Sequence, residues 1–507
     1  MMDIIHTLAL ETMQKNKQAL IFAPSRASAE KTAEEISKLT HMNYPEFEET
    51  VLKAASTPTK QCKRLSQCIK KGIAFHHAGL LQKQKDLIED EFKSGKVKII
   101  CCTPTLAAGM SLPAFRVIIK SLKRYSGKWG MDWIPVLEYM QMAGRAGRPE
   151  YEAFGEAITV AKNDAERDEI YERYVCGEPE EIYSKLAVEP VLRTYVLSLI
   201  SSGIVRNEKS MKEFFAKTFW AHQFKDMAKL EGIMDKMLSL LEEWKFVSID
   251  GSEGDFVSAN DMNKSRTTRA TRIGRRVSEL YLDPLTAKYI IDCISEFNEN
   301  KNTYSLLHMV SNTLEMRPLL RVKVKEHDMI QDELVKNYEL LLQEEPSAFD
   351  LEYGEFCNSI KTTLFFDAWI NEKDEDYCME TYGVRPGEIR MKLETADWLL
   401  YATEELGKIL ERKDVVKAVR SLRIRVKNGV KEELLLLLKL KNIGRVRARR
   451  MYSNGIKDLG DVKKADVTTL GQILGKNIAL DVKKQVGEDI KEVPKRTRKG
   501  QLSIQKY

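Results

Sequence analysis

A short apolar run that gives way to a helical pattern recurs along the first third of this chain, and that alternation restricts its beginning to an α/β layer with a parallel sheet. The first run, Ala19–Ala23, passes through Pro24 and Ser25 into a helical pattern reaching Leu39. The second, from Gly72, closes on His76-His77-Ala78-Gly79 and is followed by a helix to Phe92; Val97–Thr103, Val117–Lys120 and Ala157–Val160 complete the set. Ligands of such sheets collect at the carboxyl ends of the strands. Those ends carry Ser25-Arg26, His76–Gly79 and Thr103-Pro104-Thr105-Leu106-Ala107-Ala108-Gly109. Small hydroxyls, glycines and free backbone N–H groups therefore stand where a phosphate backbone could lie.

The run Gln141-Met142-Ala143-Gly144-Arg145-Ala146-Gly147-Arg148-Pro149 has a different character. On a helix, Gln141, Arg145 and Arg148 share one stripe, and Gly144 and Gly147 let another surface approach the backbone. Guanidinium groups so placed neutralise charge developing on a transferring phosphoryl group, a contribution of roughly a thousandfold or more. An exposed basic helix with a proline stop is the alternative. Just before it, residues 121–135 set two polar-aromatic arms around Gly127 and Gly130 and read as a hairpin. Its Tyr125, Trp129 and Trp133 offer flat faces, although Trp133, beside Ile134, reads equally well as packing on its own domain.

Other phosphate machinery is missing. No Gly-x-x-x-x-Gly-Lys-Ser/Thr run exists: Gly127-Lys128, Gly407-Lys408 and Gly475-Lys476 lack both the upstream glycine and the hydroxyl. No Asp-Glu pair follows an apolar strand as a metal-holding carboxylate would, since Asp90-Glu91 falls in a helix and Asp374-Glu375-Asp376 in a polar stretch.

From about Glu189 the alternation stops. Val191–Ser202, Met211–Phe219 and Met227–Trp244 follow helical periods, and a β-like pair, Phe246–Ile249 and Asp255–Ser258, is joined through Gly251 and Gly254. Helices followed by a glycine-turn hairpin suggest a winged helix. The basic, hydroxyl-rich run Lys264–Arg276 reads as a solvated linker face or a phosphate grip. A largely helical region spans Pro284 to about Arg412. The tract Leu434–Tyr452 then reads as helix, Ile-Gly turn and basic helix, resembling a helix-hairpin-helix unit. Backbone N–H groups at such a turn favour phosphate, and Arg445, Arg447, Arg449 and Arg450 add charge beside it. The polar, cationic tail from Val493 ends with Gln501, Ile504 and Tyr507 at the spacing of the peptide that docks on sliding clamps such as PCNA.

With 81 Lys and Arg against 75 Asp and Glu among 507 residues, the net charge of +6 is mild, so a nucleic-acid surface must come from local concentration of cations. The 8 cysteines include no Cys-x-x-Cys pair and the 7 histidines no His-Glu-x-x-His helix, which excludes the usual zinc and disulfide frameworks. The richest apolar run, Leu434–Leu438, is too short to span a membrane, and a cytoplasmic, nucleoid-associated protein is expected.

In this order the segments resemble motifs IV, IVa, V and VI of a superfamily-two helicase, and the whole chain resembles the C-terminal part of the archaeal Hjm/HelQ family of DNA helicases. The resemblance implies a second RecA-like lobe over residues 1–170. There Gln141, Arg145 and Arg148, with Gly109, face ATP, while Ser25, Arg26, His77, Gly79, Thr103 and Thr105 touch DNA. ATP and Mg2+ would be held mainly by a first lobe, in cis or in trans, that these residues do not include. The hairpin at 121–135 would wedge Tyr125 or Trp129 against the last base pair, a stacking contact worth about 1 to 3 kcal/mol per base. A winged helix at 171–275 would join it to a helical ratchet domain at 276–412, where Arg390 and Trp398 meet bases. A helix-hairpin-helix domain at 413–490 would clamp the exiting strand, ahead of a tail at 491–507.

Two positions depart from that family pattern. Ser111 stands in place of Asn in Gly-x-Asn-Leu-Pro, and Met391 stands where an Arg is expected seven residues before Trp398, with Arg390 and Lys392 flanking it. Arg390 lies about 80 degrees round the helix from Trp398, and filling the bundle core is the alternative role for that Trp. The implied activity is that of an ATP-dependent, 3′-to-5′ DNA helicase that binds single-stranded and forked DNA in fork repair and recombination. A stand-alone DNA-binding adaptor and a Ski-type RNA helicase fragment are the competing readings. The pure chain should not turn over ATP in a steady-state assay with single-stranded DNA; DNA-stimulated, Arg148-dependent turnover would contradict this.

Overall fold

In the computed structural model, residues 3–54, 58–109, 112–125, 131–147, 154–249 and 267–488 are described. Strands β1 (Ala19–Phe22), β2 (Ile73–His76), β3 (Ile99–Cys102) and β4 (Arg116–Ile119) are buried at every position. Largely apolar runs without polar alternation are what a strand covered on both faces requires, the polar ends here, His76 and Arg116, being buried beside Glu89 and Glu156. After the antiparallel pair β5 (Lys123–Tyr125) and β6 (Met131–Trp133), β7 (Glu156–Thr159) completes a sheet of order β2-β3-β1-β4-β7. Every neighbouring pair in it is parallel, and the register sets His76, Cys102, Phe22, Ile119 and Thr159 in one row. All five following loops therefore leave from the same edge. From β1 the chain travels toward β2, from β4 toward β7, so the topological reversal falls between β1 and β4, where ligand crevices form in such sheets.

Two compact units divide the chain: residues 1–182 with 383–391, and residues 183–382 with 392–507. The first extends beyond the expected boundary at residue 170. A π-helical turn, Tyr171–Val175, continues the helix Asp164–Ile170, and the buried Tyr174 hydroxyl donates to the Ile134 carbonyl at 2.6 Å. Further on, the Glu180 carboxylate accepts from the Val136 and Leu137 N–H groups at the start of the helix Val136–Ala143, as the positive end of a helix favours.

In the second unit, the helices Glu189–Ser201, Glu208–Phe215 and Met227–Glu243 match the expected periods to within a few residues. One strand pairing was not anticipated. Strand β8 (Val247–Ile249) pairs antiparallel with β9 (Thr268–Ala270), which lies inside the basic run read as a linker; the expected Asp255–Ser258 strand lies outside the described residues. Thr268 turns inward while Arg269 faces solvent, so a strand with one buried face was hidden by its arginine and the basic residues around it. Thr271 then caps the helix Arg272–Glu279, whose Gly274 passes so near the Phe246 carbonyl that a Cβ would lie 1.8 Å from its oxygen.

A second correction concerns the leucine tract. Instead of one helix it forms two 3-10 turns, Glu432–Leu434 and Leu437–Lys439, because side chains three apart eclipse in that geometry and send Leu434 and Leu437 into the same core. The helices Arg445–Ser453, Leu459–Lys464, Val467–Leu474 and Lys476–Gln485 close around it. Among the described residues, no helix is long and apolar enough to cross a membrane.

The helix Thr303–Ser311 is enclosed from Tyr304 onward, which buries His308. Its Nε2 donates to Ser359 Oγ at 3.1 Å, and burial pushes its pKa down to about 4. The unfolded chain therefore binds a proton below pH 6.5 that the folded state refuses. Stability present above pH 6.5 should be lost as pH falls toward 4, by up to about 3 kcal/mol from this residue. Urea midpoints measured across that window should fall less steeply in His308→Gln than in the wild type; parallel pH profiles would show that His308 does not contribute.

Candidate functional site

The carboxyl edge of the sheet gathers the loops that the alternation pointed to. Exposed Ser25 caps the helix Arg26–Ser37, its hydroxyl accepting from Ser28 N, and Arg26 is ion-paired with Glu388. After β3, Thr103 and Thr105 share a hydroxyl hydrogen bond of 2.9 Å, with Thr105 exposed at the start of the short helix Thr105–Gly109. Gly109 is described through its backbone as the last residue of that helix. At the reversal between β1 and β4 lies a groove of about 470 Å³, lined by Pro24, Pro104, Thr105, Lys123, Arg124 and Gln141 among others. Both cations of this groove have acidic partners: Lys123 pairs with Glu166, and Glu138 lines the groove beside Arg124. Arg124 is held by both oxygens of Glu138, at 3.0 and 2.8 Å.

The helical stripe of Gln141, Arg145 and Arg148 does not form. The helix Val136–Ala143 stops with Gly144 as its C-cap; Ala146 bridges Ala114 in parallel, and Gly147 adopts φ +94°. The glycines expected to clear an approach instead end the helix, since a positive φ at Gly147 is open to a residue without a Cβ. Gln141 is exposed on the helix, while half-buried Arg145 lies beyond it and donates to the Ala107 carbonyl. That bond draws the turn beside the helix Thr105–Gly109. Arg145 has no acidic partner among the described residues, and Arg148 lies outside them.

His77 and Gly79 are placed differently from expectation: both are buried, so their side-chain positions offer no surface to an outside strand. His77 Nδ1 accepts from Gly79 N at 3.1 Å, which leaves the proton on Nε2 for Glu30 Oε1 at 3.0 Å. Glu30, 2% exposed, also accepts from Gln61 and Arg64 and pairs with Arg385. Burial acts to raise the Glu30 pKa, but the His77 hydrogen bond, the Arg385 charge and the Gln61 hydrogen bond outweigh it and bring it to about 2. Burial holds the His77 pKa down despite this partner, so the ring is neutral at pH 7. Space above Gly79 is taken by Arg385, whose Cδ lies 2.7 Å from where a Cβ would stand. Sequence reasoning missed Glu30, which shares its side of the helix with the buried Ala33 and Ser37, three and seven residues on, at the edge of the Ala29, Ala33 and Ile36 face.

The two arms, Lys123–Tyr125 and Met131–Trp133, pair antiparallel, with Lys123 opposite Trp133 and Tyr125 opposite Met131. Trp133 packs against Tyr174, 5.8 Å between ring centroids, with Lys123 Nζ 3.9 Å above it, so its face serves its own unit. The Tyr125 side chain, Trp129 and the tail residues Gln501, Ile504 and Tyr507 lie outside what is described.

In the second unit, Trp398 is half-buried in the helix Pro386–Ile409 and its indole N–H donates to the Leu280 carbonyl at 3.0 Å. Arg390, in the part of that helix belonging to the first unit, is exposed, whereas the flanking Lys392 is buried and donates to the Pro318 carbonyl at 2.8 Å. The four C-terminal arginines separate into two kinds. Arg445 lies 5.5 Å over the Trp369 ring, and Arg449 pairs with Glu372 and Glu433. Arg447 and Arg450 are exposed, with Arg447 donating to the Asn442 carbonyl at 2.8 Å. Half of the expected basic surface thus anchors the domain to Glu372 and Trp369.

Residues 1–150 match the helicase conserved C-terminal domain, and residues 304–429 match archaeal helicase domain 4. The chain is 37% identical over 506 residues to the ATP-dependent DNA helicase Hel308 of Pyrococcus horikoshii, covering 98% of this chain and 67% of that protein. The Hel308 protein of Pyrococcus abyssi is also 37% identical, over 507 residues, and that of Methanocella arvoryzae 34% over 512, with 67% and 66% of those proteins covered. About two thirds of each relative's length is therefore spanned.

Close backbone contact at the buried cluster can be tested by size alone. A Cβ on Gly387 would lie 2.5 Å from the Ala78 carbonyl oxygen and 2.7 Å from that of Leu80, whereas one on Gly354 would meet nothing within 4 Å. Gly387→Ala should cost about 1–3 kcal/mol in urea unfolding of the first unit, and Gly354→Ala should change stability by no more than about 0.5 kcal/mol. Equal effects would mean that the approach of residue 387 to the loop after β2 is not tight.

Proposed function

Because the chain belongs to the Hel308 family of helicases, we propose that it is the DNA-engaging C-terminal portion of an ATP-dependent, 3′-to-5′ DNA helicase of the Hjm/HelQ type. In this reading it works on single-stranded and forked DNA in fork repair and recombination, in the cytoplasm with the nucleoid. The observation that carries the proposal is 37% identity sustained over 98% of the chain to a DNA helicase.

ATP and its Mg2+ sit mainly on a first RecA-like lobe, in cis in a longer protein or in trans, and bound there they supply the phosphoryl transfer that drives movement. The residues here fit the anionic side of that group: Arg145, held by a carbonyl and without a described carboxylate partner, keeps N–H groups for phosphate oxygens. Gln141 and Arg148 complete the set, with Gly109 giving room. On the DNA side, Ser25, Thr103 and Thr105 and the backbone around them take phosphates at the carboxyl edge, and the proline-lined groove takes a base. The hairpin with Tyr125 and Trp129 parts the strands.

The second unit is read as winged helix, ratchet domain and helix-hairpin-helix domain. Because the Trp398 N–H is already bonded to the Leu280 carbonyl, its contribution to DNA is the ring face, and Arg390 contributes its charge separately. Arg447 and Arg450 meet phosphates, while Arg445 and Arg449 hold the domain in place. Gln501, Ile504 and Tyr507 dock on the sliding clamp PCNA.

The test combines this chain with a separately expressed first lobe carrying Gly-Lys-Thr and an acidic box, and measures unwinding of forked DNA. Arg145→Ala should slow DNA-stimulated hydrolysis roughly a thousandfold while fork binding persists. Equal unwinding of an RNA fork would favour the Ski-type reading, and no activity with any first lobe would favour the adaptor.

A further inference from the structure

The helix after β1 and the segment entering the helix Pro386–Ile409 exchange charges reciprocally. Arg26 pairs with Glu388, and Glu30, one turn along from Arg26, pairs with Arg385, Nε to Oε1 3.2 Å. All four residues belong to the first compact unit although more than 350 positions separate the two segments. The Glu30 carboxylate is also the junction of three further groups: Gln61 Nε2 at 2.9 Å and His77 Nε2 at 3.0 Å on one oxygen, and Arg64 Nη1 at 2.6 Å on the other. Beyond His77 the connection continues through its Nδ1 to Gly79 N, and the Gly79 carbonyl accepts from Gly387 N at 3.0 Å. Glu388 closes the circuit by accepting from Arg385 N at 3.0 Å. Buried carboxylates are tolerated when several donors surround them, and such a junction holds only when each donor stays in place.

We infer that Glu30 is a positioning residue which, with Arg26, locks the loop after β2 to residues 385–391, so that the placement of the one sets the placement of the other. The inference rests on the reading of the carboxyl edge as a DNA track. There it gives the lobe a means of passing strand engagement to the first turn of the helix that bears Arg390. Small displacements carry through such a junction because the groups meeting at the buried Glu30 carboxylate have few alternative pairings there.

Amide hydrogen exchange on the 507-residue chain, alone and with a single-stranded oligothymidylate, tests this. Glu30→Gln and Arg26→Glu should each speed exchange of the amides of residues 387–391 at least tenfold while the amides of β1 to β4 keep their protection. Arg26→Glu combined with Glu388→Arg should bring exchange back to within about threefold of the wild type, because the pair is restored with its signs reversed. In the wild type the oligonucleotide should slow exchange at 387–391, and in Glu30→Gln that DNA-dependent change should vanish even where the oligonucleotide still binds, a result that a purely stabilising contact would not produce. Wild-type exchange at 387–391 in both single variants, or no recovery in the reversed pair, would overturn the lock. If Glu30→Gln fails to fold, the Arg26 and Glu388 pair decides alone. Absence of oligonucleotide binding to the wild type would instead count against the proposed function, leaving the DNA-free comparison to judge the lock.

Discussion

The parallel register that sets His76, Cys102, Phe22, Ile119 and Thr159 in one row is the constraint from which the rest of the first unit follows. Parallel strands of equal length, paired without offset, deliver their successors to a common edge. Loops from positions 23, 77, 103 and 120 thereby become neighbours, and the reversal between β1 and β4 opens the proline-lined groove among them. Chemistry dispersed over a hundred residues is concentrated by nothing more specific than buried apolar strands, which exclude alternative registers because every side chain on both faces must stay out of water.

Charge in this molecule is arranged by pairing more than by excess. A net charge of +6 on 507 residues leaves little general attraction for a polyanion. Many arginines that look like nucleic-acid ligands have other duties: Arg26 and Arg385 bind the carboxylates of Glu388 and Glu30, Arg276 meets Glu405, and Arg449 meets Glu372 and Glu433. Such partly exposed pairs contribute about 1 kcal/mol or less apiece to stability. Their larger effect is geometric, since each fixes where a turn or helix start lies. Arg447 and Arg450 differ because they remain exposed, and Arg145 because its partner is a carbonyl, which leaves its charge uncompensated by described residues.

Glycine shows how one residue type serves opposite ends. Gly144 and Gly147 end a helix and release Arg145 into a turn, while Gly79 and Gly387 allow two backbone segments to come within hydrogen-bonding distance. A reading of 141–148 as one helical face treated both glycines as spacers. The difference lies in backbone conformation: the bridge between Ala114 and Ala146 competes with continued helix, and the missing Cβ at Gly147 lets the chain take the turn.

Patterns of local period were legible in the sequence alone: the five strands of the sheet, the hairpin around residues 121–135, and the long helices of the second unit. Each is written within a window of a few to twenty residues, as a short apolar run in the buried strands or as apolar side chains recurring every 3.6 positions in the helices. The order of motifs along the chain likewise needed no coordinates. Pairings between distant residues were decided only in three dimensions. β9 had to be found by its partner β8 because arginines masked its one buried face, and Leu434 and Leu437 became 3-10 turns to satisfy a core built from helices further along. Glu30 and His77 became a single buried site, with Arg385 at its edge, for the same reason: whether an acid, an imidazole and a guanidinium are ligands for an outside molecule or for each other depends on which of them loses its water, and burial is a property of the folded whole.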